Sequence, residues 1–204
     1  MIVSTLRPLV LRRTVSAVVA LLMLLSLASS AGAKVPQAYQ AIAVEAPFSF
    51  SERMFDLTEA VALARKEQKP LYIYVGAADC PPCRAYEIFL QQHHAELAAA
   101  FGKVVLVDLR TWLRGPDIYI KVDQIRYSLQ EFKALVGDKN RSWSYPYFWL
   151  LQPTLVKVKQ LPRGSANYLS VEQQLEILRI PKTGRTHAPG QPPQPPQDVD
   201  ESAP

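Results

Sequence analysis

Leu71-Tyr72-Ile73-Tyr74-Val75 is an unbroken apolar, β-branched and aromatic run bounded by Pro70 and Gly76. Cys80-Pro81-Pro82-Cys83 follows it directly. A run of that length and composition predicts a strand buried on both faces. The chain from Pro81 to about Phe101, ending at Gly102, predicts a helix, so the two cysteines stand on its first turn. Pro is tolerated there because the first N–H groups of a helix have no partner to lose. Residues i and i+3 on one turn bring their Cβ atoms to about 5–6 Å, close enough for a disulfide to form and break with little chain movement. The partial positive charge at the helix start favours the thiolate of Cys80, which is expected to be exposed. Cys83, one turn in, is expected to be sheltered and to attack a mixed disulfide formed at Cys80.

Two plainer roles compete for this pair. A structural bridge closing so short a loop stabilises by only about 2 kcal/mol on the loop-entropy relation. A zinc site needs a second pair of ligands. His93 and His94 lie about 15 Å down the helix at 1.5 Å per residue, and His187 lies near the C-terminus. A redox dithiol is the reading the spacing favours, with no metal and no cofactor.

The rest of the core reads as an α/β sequence. Asp56-Leu57-Thr58-Glu59 has the form of a capping box, followed by a helix to about Glu67. Val104 to Val107 is a second buried strand. The order helix, strand, helix, strand implies a parallel pair joined by a crossover helix. From 111 to 144 the pattern loosens around one helix that starts at the capping box Ser128 to Glu131, which reads as a helical insertion. Tyr147 to Leu151 is an apolar strand. Gln152-Pro153-Thr154 is a turn, and Val156 to Lys159 alternates as a half-exposed edge strand would. Ser170 caps a last helix in which Val171, Leu175 and Leu178 fall on one face.

Part of the formal charge of +5 belongs to residues 1–33, and seven of the 17 prolines to residues 181–204. Residues 1–33 carry Arg7, Arg12 and Arg13, no acid, an apolar run from Val15 to Leu27 and the exit Ala31-Gly32-Ala33. That is the pattern of a signal peptide cleaved near Ala33, with an uncleaved N-terminal anchor as the rival. Removing it leaves +2, dispersed, so a nucleic-acid surface is not expected. Residues 34–54 form an N-terminal lead-in. Residues 181–204 hold seven prolines and read as a disordered tail. Asn140-Arg141-Ser142 matches a glycosylation sequon and is read as a chance match.

Strand, CxxC, helix, strand, and then an apolar strand just after a Pro is the order of the thioredoxin superfamily, which this chain resembles over residues 55–180. The segment from Leu57 to Arg84 is most similar to exported bacterial thioredoxin-like proteins, such as the C-terminal domain of the DsbD reductase and TlpA-type reductants. The resemblance implies a thioredoxin-like fold: a central mixed sheet flanked by helices, with the insertion placed before a strand that opens with a cis-proline. That proline faces the disulfide, and the residue before it binds an extended substrate strand. Pro146, preceded by Tyr145, is assigned to this place, with Pro153 as the rival. Two departures stand out. Tyr74 occupies the position where thioredoxins carry a buried Asp, and Asp79 precedes Cys80 where they usually have Trp. Asp79 opposes ionisation of Cys80, whereas Arg84 favours it. The aromatic cluster Trp143, Tyr145, Tyr147, Phe148 and Trp149 either lines a substrate groove or fills the core.

The expected function is that of an exported, periplasmic thiol–disulfide oxidoreductase, more a reductant than an oxidant of protein disulfides. Its partners would be a protein thiol or disulfide substrate and a membrane electron donor or acceptor. A DsbA-like oxidase or isomerase and a non-catalytic Cu(I)-handling or docking module are the alternatives.

Overall fold

The computed structural model describes residues 34–140 and 142–180. The expected signal peptide, the Pro-rich tail and the central Arg of the sequon lie outside them. The chain forms a mixed α/β structure with two sheets. Strands β1 (Ile42–Glu45), β2 (Glu52–Asp56) and β3 (Leu71–Ala77) are followed by β4 (Val105–Thr111), β5 (Asp117–Val122), β6 (Ile125–Ser128) and β7 (Tyr147–Leu151). Helices are α1 (Thr58–Glu67), α2 (Pro81–Gln92), α3 (His94–Phe101), α4 (Leu129–Leu135) and α5 (Val171–Leu178). Among the described residues, no helix is long and apolar enough to cross a membrane.

The main sheet has the order β1-β4-β3-β7. β3 and β4 pair in parallel through the α2–α3 crossover, β1 joins β4 in parallel, and β7 runs antiparallel to β3. Every residue of β3 and of β7 is buried, as expected of strands flanked on both faces. Side chains alternate strictly across the sheet. Tyr72, Tyr74, Leu106, Phe148 and Leu150 point to a layer made by α2, α3 and α5. Leu71, Ile73, Val75, Val107 and Trp149 point to the opposite layer, built by α1, α4 and the second sheet.

That second sheet, β2-β5-β6, corrects the expected helical insertion. Residues 111–144 are mainly a β5–β6 hairpin whose first strand pairs in parallel with β2, followed by α4. Ile118, Ile120 and Val122 alternate inward along β5 and supply the apolar face that pins it. The lead-in is likewise structured: β1 adds a strand to the main sheet, and β2 runs across residue 55.

Other differences have local causes. Asp56 does not close a capping box. Its Oδ1 accepts the Thr58 N–H at 3.0 Å, and its other oxygen is held by Lys121. The predicted helix from Pro81 to Phe101 breaks at His93 into α2 and α3, where His93 Nδ1 and Glu96 Oε1 lie 2.8 Å apart. The expected edge strand at 156–159 is reduced to one antiparallel bridge, Leu151 with Lys157. Helix α5 starts at the predicted Ser170 cap, but its buried face is Gln174, Ile177 and Leu178, and Leu175 points to solvent. The rotation brings Gln174 onto two buried tyrosine hydroxyls. At α4 the Ser128–Glu131 capping box forms in both directions.

Candidate active site

The end of β3 and the start of α2 place the cysteine pair. Cys80 N–H donates to the Ala77 carbonyl at 3.1 Å, which turns the chain out of the strand, and Ala78 N–H donates to Thr111 O on β4 at 2.8 Å. Cys80 is the N-cap residue of α2, with Pro81 at the first helical position. Its Sγ accepts the Cys83 backbone N–H at 3.2 Å, so the sulfur sits in the place of a capping oxygen. Cys80 and Cys83 form a disulfide with Cα atoms 5.3 Å apart. Pro81, Pro82 and Arg84 are exposed around it.

The expected contrast between an open and a sheltered sulfur is corrected in this disulfide form. Cys80 is only 3% exposed and Cys83 fully buried, because both pack into the apolar layer of α2. Cys83 Sγ also lies 3.5 Å from the Ala77 N–H. In this disulfide form neither sulfur-bearing residue is open to solvent.

Tyr145–Pro146 is a cis peptide bond. The antiparallel register runs from Leu71 with Leu151 to Val75 with Tyr147. Continued by one and two residues, it sets Pro146 opposite Gly76 and Tyr145 opposite Ala77, at the end of β3 from which the Cys80 turn leaves. Pro146 has no N–H to continue the ladder, and the strand ends there. Pro153 lies in the turn after β7.

Tyr74 is buried, and burial followed by the neighbouring Glu87 charge raises its phenol far above the ordinary value. Its hydroxyl donates to Glu87 Oε1 at 2.8 Å. Glu87 is the functional candidate missing from the sequence analysis. It stands four residues after Cys83, hence on the same face of α2 one turn on. Burial pushes its carboxyl up to about 7, against the Tyr74 hydrogen bond; Asp108 raises it further, while Arg110 and Arg84 lower it. The only sequence signal is an acid at an otherwise apolar helix position. Asp108, the neighbouring buried acid on β4, is also raised by burial, opposed by its ion pair with Arg110 and a hydrogen bond from Val35 N–H.

Asp79 is not free beside Cys80. Its Oδ1 accepts the Leu113 N–H at 2.7 Å and so ties the cysteine loop to the segment after β4. That segment borders two hollows. One, of about 540 Å³, is lined by Gly76, Ala78, Glu87 and Asp108 on the inside and by the β1–β2 loop outside. The other, of about 390 Å³, is lined by Leu113, Tyr119, Gln130, Trp143 and Tyr145. The aromatic cluster thus divides. Tyr147, Phe148 and Trp149 are core, while Trp143 and Tyr145 are half-buried at the second hollow. Among the described residues, no cluster of three or more His, Cys, Asp or Glu has the arrangement of a metal site.

Compared with protein-family models, curated proteins and solved structures, the chain has no match.

Proposed function

We propose that this chain is an exported thiol–disulfide oxidoreductase with a thioredoxin-like fold that reduces protein disulfides. The observation that carries the reading is the Cys80–Cys83 disulfide on the first turn of α2, with Cys80 Sγ accepting a helix N-terminal N–H. That donor and the helix start stabilise negative charge on the sulfur that would be the nucleophile. The sheet order β1-β4-β3-β7 and the cis Tyr145–Pro146 bond beside the pair support the fold.

In the reduced protein the Cys80 thiolate attacks one sulfur of a substrate disulfide. A Cys80–substrate disulfide forms and the other substrate sulfur leaves as a thiolate. Cys83 then loses its proton and attacks Cys80 Sγ, which closes the Cys80–Cys83 bond and expels the second substrate thiolate. Glu87, on the same helix face as Cys83 and with its carboxyl near 7, is the acceptor for the Cys83 proton. Two electrons pass to the substrate, and a membrane-bound donor restores the dithiol.

Reduction is preferred over oxidation because the resemblance from Leu57 to Arg84 runs nearest to exported reductants. Asp79 opposes the Cys80 thiolate and Arg84 favours it, so these two charges do not set the direction. The mature chain is expected to catalyse reduction of insulin disulfides, with Cys80→Ser inactive and Cys83→Ala trapping a mixed disulfide. Equilibration with glutathione reads the direction: a potential near the about −120 mV of a strong oxidant overturns the reductase assignment. Absence of insulin reduction together with tight Cu(I) binding overturns the enzyme assignment itself.

A further inference from the structure

Three of the large exposed aromatic side chains line the 540 Å³ hollow. Phe48 is 85% and Phe50 90% exposed on the β1–β2 loop, where their rings stack edge to face at 4.9 Å. Across the 540 Å³ hollow, Trp112 is 61% exposed on the segment after β4, and its neighbour Leu113 is the residue held by Asp79. Such a cluster of aromatic rings on loops around a concavity is what a binding site presents, whereas single exposed apolar residues are ordinary.

The charges around the hollow are unbalanced. Lys34, Arg53 and Arg114 line it, and none has an ion pair with a carboxylate among the described residues. Arg53 is fixed by neutral acceptors, the carbonyls of Pro116 and Trp112 and the Thr111 hydroxyl, so its position is set while its charge stays uncompensated. The acids there are already engaged. Glu45 and Asp108 share Arg110, and Glu87 accepts from Tyr74.

Resting on the redox assignment above, we propose that the hollow between the β1–β2 loop and the segment after β4 docks a polypeptide segment of the redox partner. That segment carries aromatic or aliphatic side chains next to carboxylates. Phe48, Phe50 and Trp112 would take the apolar side chains, and Lys34, Arg53 and Arg114 the acids. Gly76, near the end of β3, and Ala78, just beyond it, line the hollow on the chain that leads into Cys80, so a segment bound there delivers a neighbouring disulfide to the cysteine pair. A concave hollow at this place suits a chain segment better than a flat lipid surface.

The test uses the oxidised mature chain and two rhodamine-labelled peptides of identical apolar sequence, one carrying Glu and the other Lys. Fluorescence anisotropy should show the acidic peptide binding on the order of tenfold tighter at low salt. The preference should fall towards unity in 0.5 M salt and in the Lys34→Glu, Arg114→Glu double variant. Phe48→Ser with Phe50→Ser should weaken the acidic peptide by roughly tenfold. Equal binding of the two peptides, or a preference untouched by the charge reversals, overturns the proposal. So does binding to phosphatidylglycerol vesicles that outcompetes the acidic peptide. Because the readout is binding to the oxidised protein, failure of insulin reduction with the peptide preference intact sinks the redox assignment alone. Normal reduction without a preference sinks the docking surface alone.

Discussion

On one face of the main sheet, Leu71, Ile73, Val75, Val107 and Leu109 meet α1 and the second sheet largely through aliphatic carbon. On the other, Tyr72, Tyr74, Tyr86 and Tyr168 are all buried and carry hydroxyls into the layer that holds the disulfide. Each hydroxyl has a partner. Tyr72 and Tyr86 lie 3.3 Å apart and both bond Gln174 of α5, Tyr74 bonds Glu87, and Tyr168 donates to the Pro162 carbonyl at 2.5 Å. The aliphatic face depends on volume and the hydroxyl face on satisfaction of polar groups. A buried unpaired hydroxyl or amide costs about 1–3 kcal/mol, so the second face tolerates fewer arrangements. Rigid geometry under the cysteines is the expected return of that constraint.

The largest effect that separates the faces comes from emptying the aliphatic one. Ile73→Ala deletes a fully buried side chain of the central strand and should cost about 3–4 kcal/mol, read as a drop in the urea midpoint. Insulin reduction per folded molecule should persist, because Ile73 faces away from the pair. A loss of redox activity larger than the loss of folded protein would show that the two layers are coupled through β3.

Gly76→Ala acts on the other face. An added Cβ would lie 2.6 Å from Cζ of Tyr74, two residues back on the same side of the strand. The ring must move, and it is the ring that bonds Glu87. A cost of about 2–3 kcal/mol is expected. Unlike Ile73→Ala, it should also change the pH profile of disulfide reduction. Tyr86→Phe is milder. It keeps the ring and strands the Gln174 Oε1 acceptor, for about 1–2 kcal/mol in the same denaturation measurement. If Tyr86→Phe proves neutral, the hydroxyl network carries no stability and the contrast between the faces reduces to packing alone.

How much of this was legible in the sequence follows the same division. The ends of β7, the Ser128 and Ser170 caps and the parallel β3–β4 pair could be read because each is set by local signals, a buried apolar run or a capping residue. The second sheet was not read, although Ile118, Ile120 and Val122 alternate. β2 and β5, which make its parallel pair, are separated by the whole β3–β4 unit, and nothing local says they meet. Tyr74 was recognised as standing where an acid was expected. Its partner Glu87 lies 13 residues on, and only the crossing of β3 by α2 brings them together. In α5 the apolar stripe through Leu175 is not the buried face, because Gln174 is held inward by the Tyr72 and Tyr86 hydroxyls, which lie far away in sequence.

The smallest effect is the pH dependence, where one carboxylate on each layer moves in the opposite direction. Burial raises Glu87 from 4.5 to about 7. In the unfolded chain it loses its proton at lower pH than in the folded one. Between about 4.5 and 7 the folded state therefore binds more protons, and stability falls as pH rises through that window. Burial also pushes Asp138 up, but hydrogen bonds from Tyr147, the Asn140 N–H, Gln160 and Trp149 outweigh it and hold its carboxyl below the ordinary 3.8. Its contribution is present above that value and is lost as pH falls through the lowered one. Denaturation of Glu87→Gln and Asp138→Asn across pH 3–8, each subtracted from wild type, isolates the two groups from the raised Asp108, whose slope has the same sign as that of Glu87. Glu87→Gln should gain on wild type by about 1 kcal/mol between pH 4.5 and 7, a modest figure because the carboxylate borders the open hollow. Asp138→Asn should lose most at neutral pH and recover toward wild type near pH 3. A Glu87→Gln difference that stays flat across the window would mean that the Glu87 carboxyl is not raised by folding, which leaves it too weak a base to take the Cys83 proton near neutral pH.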